Sequence, residues 1–61
     1  MQIDIGSRKI DTSEVVEAFI YTQEIKLNNG ELIHLENPLF ATVIAICCKE
    51  MEAEFVIKQE G

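Results

Sequence analysis

Several residue types that often mark a functional site are scarce in this chain of 61 residues. It has no tryptophan, two cysteines and one histidine. Two cysteines are too few for the disulfide framework of a small secreted domain, and no C-x-x-C spacing is present to build a four-ligand zinc site. The three glycines stand apart, so the chain lacks a glycine-rich phosphate-binding loop. We therefore expect no metal and no cofactor.

Basic residues are also scarce. Five Lys and Arg stand against eleven Asp and Glu, which gives a net charge of −6 and a pI of about 4.5. Binding to a nucleic-acid backbone or to an anionic membrane needs a basic patch, so we expect neither contact. An acidic surface suits a basic protein partner instead.

No stretch of the sequence has the layout of a targeting or anchoring segment. The apolar run in the middle of the chain is too short to span a membrane. The first residues, Met1 to Ile5, lack the basic and then apolar order of a signal peptide. From these absences we predict a cytoplasmic protein.

Hydrophobic residues are abundant, at 48% of the chain. A chain of this length buries only about 60% of its unfolded surface on folding, so its stability is marginal. Small domains of this kind are often stabilised by oligomerisation. We predict one small domain, residues 1–61, that forms a homodimer or another homo-oligomer.

The longest nearly uncharged stretch covers residues 37–49. Asn37 suits the N-cap of a helix and Pro38 suits its first turn. Small or polar residues then follow at helical spacing: Thr42, Ala45, Lys49 and Glu52. We predict a helix over about 38–51. Because the stretch is also rich in β-branched residues, a buried strand is the alternative.

Two hairpins are predicted from turn residues between alternating strands. Gly6-Ser7 is suited to a type II′ turn that pairs Ile3 with Ile10. Asn28-Asn29-Gly30 is suited to a three-residue loop that pairs Ile25 with Ile33. In that second register Lys26 and Leu32 lie on one face together with Glu24 and His34, and Ile25 lies on the other face with Ile33, Gln23 and Leu35.

Residues 11–20 are ambiguous. Asp11 and Glu14 fit a capping box, whereas the residues that follow are rich in strand formers. We predict a turn at residues 11–14 that leads into a bulged strand, with a helix of one or two turns as the alternative. Near the end of the chain, Ala53, Phe55 and Ile57 alternate with Glu54, Val56 and Lys58, which predicts a last strand.

Together these elements predict an α+β fold. It is a small antiparallel sheet, made of two hairpins and a C-terminal strand, with one helix packed on one face. If residues 41–48 were extended, the alternative would be an all-β small barrel of five strands.

The reactive side chains do not form a catalytic set. Adjacent cysteines on a helix point about 100° apart, so we expect Cys47 in the core and Cys48 at its margin as reduced thiols. His34 is expected on the outer sheet face beside Glu24, away from the helix. No nucleophile–base pair follows from this arrangement, and we predict that the protein is not an enzyme.

Candidate partner-binding residues are Glu50, Glu52 and Glu54, the densest acidic cluster, and Tyr21, since aromatic residues dominate interaction hot spots. They favour a non-enzymatic protein–protein interaction module. One version is an inhibitor that covers the basic, nucleic-acid-binding surface of a partner. The alternative is a structural subunit that assembles with copies of itself or into a larger complex.

Overall fold

A computed structural model describes residues 1–59 of the chain. In chain order, its elements are β1 (Gln2–Asp4), β2 (Lys9–Asp11), a 3-10 helix (Thr12–Glu14), β3 (Val15–Phe19), β4 (Glu24–Leu27), β5 (Leu32–His34), α1 (Asn37–Glu50) and β6 (Val56–Lys58). β1 and β2 form a two-stranded sheet, and the other strands form a four-stranded sheet in the order β5-β4-β3-β6. The α+β prediction is confirmed, and the described strands do not close into a barrel.

The β1–β2 hairpin has the predicted register, with Ile3 opposite Ile10. Its turn is closed by the Ile5 N–H, which donates to the Arg8 carbonyl oxygen at 2.9 Å. Gly6 has a φ of +99°, which a residue with a side chain rarely adopts. The choice of glycine at this position therefore determines where the chain reverses.

Residues 11–19 form both predicted features, a capped turn and a bulged strand. Asp11 accepts a hydrogen bond from the Ser13 N–H, and the Glu14 carboxylate accepts from the Asp11 N–H, so the capping box is complete. The chain then enters β3, which pairs antiparallel with β4. The register shifts between Val15 and Glu17, which makes Val16 the extra residue of a bulge.

The β4–β5 hairpin confirms the predicted register, with Ile25 opposite Ile33. The Gly30 N–H donates to the Leu27 carbonyl oxygen, and the Leu27 N–H donates to the Glu31 carbonyl oxygen. Gly30 has a φ of +91°, as a three-residue loop that ends in glycine requires. Ile25 is buried and His34 is exposed, so the two faces are also as predicted.

The helix α1 is present, but the prediction that Asn37 is its N-cap is wrong. Glu36 occupies the cap position and its side chain makes no capping hydrogen bond. The Asn37 side chain instead accepts from the Gln23 amide at 2.9 Å. Gln23 has a φ of +55°, and it lies between β3 and β4, so this hydrogen bond joins the start of the helix to that turn.

The last strand is shorter than predicted and pairs in the opposite sense. β6 runs parallel to β3, with Ala18 opposite Ile57, whereas an antiparallel sheet was predicted. A helix between two strands carries the chain back along the sheet, and the next strand then runs parallel to the one before the helix. Residues 52–54 form a turn, and Ile57 is exposed.

The core lies between α1 and one face of the four-stranded sheet. The β1–β2 hairpin adds Ile10, and Ile3 and Ile5 pack against the same cluster. The buried hydrophobic residues are Ile10, Val15, Ala18, Ile25, Leu27, Leu35, Phe40, Val43 and Cys47. We call the opposite side of the sheet the outer face. From β6 to β5, one row of cross-strand neighbours on it is Val56, Glu17, Lys26 and Leu32.

Candidate interaction surface

Glu50, the last residue of α1, is tied to the body of the protein. Its Oε1 accepts a hydrogen bond of 2.7 Å from the Thr12 hydroxyl. Thr12 is only 2% exposed, and its Oγ1 also accepts from the Met1 amine at 3.2 Å. One oxygen of this predicted partner-binding residue therefore holds the end of the helix against the 3-10 helix.

Glu52 and Glu54 lie on the turn that joins α1 to β6, and both are exposed. The turn is closed by the N–H groups of Glu54 and Phe55, which donate to the Met51 carbonyl oxygen. The ion pairs formed within residues 1–59 involve other carboxylates. The two glutamates thus present unpaired negative charge immediately before β6.

Tyr21 lies at the other end of β6. It lies two residues after the end of β3, and the Ile20 N–H between them donates to the Lys58 carbonyl oxygen at 3.0 Å. The Tyr21 side chain is 70% exposed. The three glutamates thus lie within five residues of chain, at the end of α1 and on the turn that follows it. Tyr21 is separated from that turn by the length of β6, roughly 10 Å for three residues of strand.

Exposed apolar side chains lie between the acidic turn and Tyr21. Val56 is 47% exposed and Ile57 is 41% exposed, and Ile20 is also an exposed hydrophobic residue. We call Ile20, Tyr21, Glu52, Glu54, Val56 and Ile57 together the β6 surface. Sequence reasoning missed its apolar part, because the alternation of residues 53–58 predicts a strand but does not show that this strand lies at the edge of the sheet.

The positive charge of Lys58, the last residue of β6, is neutralised on the outer face of the sheet. The Lys58 ammonium lies 2.6 Å from Glu17 Oε2, and the Lys26 ammonium lies 3.7 Å from Glu17 Oε1. The hydrogen bond from Lys58 lowers the pKa of Glu17 below its usual value of 4.5. Glu17 therefore holds β6 onto β3 and reduces the positive charge that Lys58 presents.

The thiols and the histidine lie on opposite sides of the sheet. Cys47 is buried and Cys48 is partly buried, and both are free thiols as predicted. Burial raises the pKa of Cys47 to about 11, which leaves it protonated and unreactive at neutral pH. His34 is on the outer face, where its Nδ1 lies 2.9 Å from the Thr22 carbonyl oxygen.

Across residues 1–59, no three His, Cys, Asp or Glu side chains are grouped so that they could hold a metal ion. No helix in the same range has the length and apolar character needed to cross a membrane.

No protein-family model, no curated protein and no solved structure matches this chain. Its function must therefore be inferred from its own residues.

Proposed function

We propose that this protein is a non-enzymatic interaction module that binds a basic protein partner through the β6 surface. The observation that carries the proposal is the juxtaposition of Glu52 and Glu54, which form no ion pair within residues 1–59, with the exposed apolar residues of β6. Apolar contact supplies affinity, and charge steers the encounter and selects the partner. The placement of His34 and Cys48 on opposite sides of the sheet supports a role without catalysis.

In the finer version of this proposal, the protein is an inhibitor. A partner surface that is basic because it binds nucleic acid would be covered by the acidic turn, and the net charge of −6 attracts such a surface over a distance. Addition of the protein should then release bound nucleic acid from the partner. A partner that binds the protein and its nucleic acid simultaneously would contradict the inhibitor version alone.

The test compares two single-charge variants. A partner is captured from cell extract, identified and purified, and its Kd is measured by calorimetry. Glu54→Gln removes a carboxylate from the β6 surface, whereas Glu36→Gln removes one at the start of α1. We expect Glu54→Gln to weaken binding more than Glu36→Gln, and we expect the loss to shrink at high salt because exposed charges are screened beyond about 10 Å at 0.1 M.

Two results would contradict the proposal. Equal effects of the two variants would mean that only the net charge matters. A Kd that does not change with salt concentration would mean that the acidic turn takes no part in binding.

A second candidate, self-assembly, is favoured by the order of residues on the outer face. The row Val56, Glu17, Lys26, Leu32 reads apolar, acidic, basic, apolar. Rotation by 180° about an axis along the strands places Glu17 over Lys26 of a second copy and Val56 over Leu32. A face with this order is complementary to itself, as the interface of a two-fold dimer must be.

Sedimentation velocity over a range of concentrations tests the dimer. Lys26→Glu should dissociate it, because two carboxylates then face each other across the interface. A wild-type protein that sediments as a monomer at all concentrations would remove this candidate.

A further inference from the structure

The four-stranded sheet has two edges, and they differ in what lies beside them. Next to β5, the turn of the first hairpin forms the other wall of a groove of about 290 Å³, lined in part by Ile5, Arg8 and Ile33. Arg8 and Glu31 form an ion pair of 2.7 Å across this edge. At the other edge, β6 is paired with β3 alone among the described strands, and its Val56 and Ile57 are exposed. β6 is the open edge.

The pairing of β6 with β3 determines which of its backbone groups face outward. The Ile20 N–H donates to the Lys58 carbonyl oxygen, so Lys58 is a residue whose backbone groups point toward β3. In a parallel ladder such residues alternate, and Val56 is the next one. The N–H and C=O of Ile57 therefore point away from the sheet, where a further strand would meet them.

The charges around this edge determine which strand can be added. A second copy paired antiparallel would place its own Glu52 and Glu54 near the far end of β6, where Lys58 already forms an ion pair with Glu17. Self-pairing would therefore leave both pairs of carboxylates without a new cationic partner. Charged residues beside an edge strand are a common protection against such self-pairing. A strand with Lys or Arg residues beside Glu52 and Glu54 would be attracted instead.

We infer that a partner adds an extended strand to β6, antiparallel to it, and that the strand has alternating apolar residues followed by Lys or Arg. β6 runs from the acidic turn toward Tyr21. An antiparallel strand therefore begins beside Tyr21 and ends beside Glu52 and Glu54, which places its basic residues at its C-terminal end. Main-chain hydrogen bonds to Ile57 supply affinity, and the flanking side chains supply specificity.

This inference rests on the proposed function, since it names how the same surface binds. Two synthetic peptides of one composition test it, acetyl-Thr-Val-Thr-Val-Thr-Lys-Lys-amide and the same residues with both lysines first. Titration of the intact protein by fluorescence anisotropy should show tighter binding of the peptide that ends in lysine. The double variant Glu52→Gln with Glu54→Gln should abolish that preference, and Glu36→Gln should retain it.

N-methylation of the peptide tests the strand pairing itself, without any change to the protein. In an antiparallel pair only alternate N–H groups of the peptide face β6. The peptide methylated at the valine N–H groups and the peptide methylated at the threonine N–H groups should therefore differ in affinity. One of the two should bind about tenfold more weakly, as expected from the loss of one or two backbone hydrogen bonds. The other set should bind unchanged.

Three results would overturn the inference: no peptide binding, tighter binding of the peptide that begins with lysine, or equal effects of the two methylated sets. Its failure is distinguishable from failure of the proposed function. If the peptides fail but Glu54→Gln still weakens binding of a purified partner, the β6 surface binds in another way and only the strand addition is wrong.

Discussion

The hydrogen bond between Thr12 and Glu50 gives the most direct test of the structure. Thr12→Val keeps the shape of this buried side chain and replaces its hydroxyl with a methyl group. The change removes the donor to Glu50 Oε1 at 2.7 Å and the acceptor of the Met1 amine at 3.2 Å. The end of α1 then loses its attachment to the 3-10 helix.

The expected magnitude follows from the burial of the two partners. A hydrogen bond to a charged group contributes about 1.5–3 kcal/mol. Glu50 is exposed, so water can replace the lost donor and the cost should lie near the lower end, about 1.5 kcal/mol. A domain of this size has a total stability of about 3–9 kcal/mol, so the variant loses a measurable fraction of it.

Urea unfolding followed by circular dichroism measures this change. For so small a protein the slope is about 1 kcal/mol per molar urea, so the midpoint should fall by about 1.5 M. Thr42→Val is the matched control, because its exposed hydroxyl donates only to Pro38 of the same helix. The control should change stability by less than about 0.5 kcal/mol.

If Thr12→Val were no more destabilising than Thr42→Val, the hydrogen bond between Thr12 and Glu50 would not hold the end of α1. A double-mutant cycle with Glu50→Ala refines the test. We expect a coupling of about 1 kcal/mol between positions 12 and 50, and independent effects would show that the hydrogen bond does not contribute to stability.

Three further predictions concern the core, the loss of stability at low pH and the thiols. Phe40→Ala should destabilise the protein by about 3–5 kcal/mol in thermal unfolding, because the ring is buried in the core. The Glu17–Lys58 pair should make its full contribution to the stability of the fold above pH 4.5, and this contribution should be lost as the pH falls through the lower pKa of folded Glu17. In Glu17→Gln the free energy of unfolding should change less with pH over that range. Iodoacetamide should alkylate Cys48 before Cys47, and stability should fall from pH 9.0 toward 11, because only unfolded Cys47 ionises there.

For each of these predictions, one outcome would contradict it. Tyr21→Ala truncates an exposed ring and should change the melting temperature little, so a loss comparable to that of Phe40→Ala would contradict the assigned core. A pH dependence of stability that stays the same in Glu17→Gln would rule out the Glu17–Lys58 ion pair as its cause. Mass spectrometry that finds Cys47 alkylated first would contradict its burial.

The features that could be predicted from the sequence are those that neighbouring residues determine. Gly6 and Gly30 mark turns that adopt a positive φ, and the alternation around Ile25 determines which face of the second hairpin is buried. The capping box of Asp11 and Glu14 is likewise a pattern within four residues. Each of these signals is local, and the structure confirms each one.

The features that could not be predicted depend on residues far apart in the chain. Asn37 fits an N-cap by type, but the amide of Gln23, held by a distant turn, takes its side-chain oxygen. The direction of β6 depends on the path of the whole helix. For the candidate surface, exposure of the glutamates could be expected from their charge, but the hydrogen bond that ties Glu50 to Thr12 could not.

Ile57 shows the same limitation within the candidate surface. Its alternation with Val56 and Lys58 correctly indicates a strand. Its exposure depends on β6 being the outermost strand of the sheet, which no pattern within residues 53–58 reveals.

The parallel pairing of β3 with β6 has a consequence for the order in which the protein assembles and opens. Glu17 and Val56 pair across the second hairpin and α1, which lie between them in the chain, and pairings of such long sequence separation form slowly. Among the described strands β6 pairs with β3 alone, so its detachment leaves the other strand pairings in place. Its amide protons should exchange with solvent faster than those of β4, and a ligand docked along it would slow that exchange.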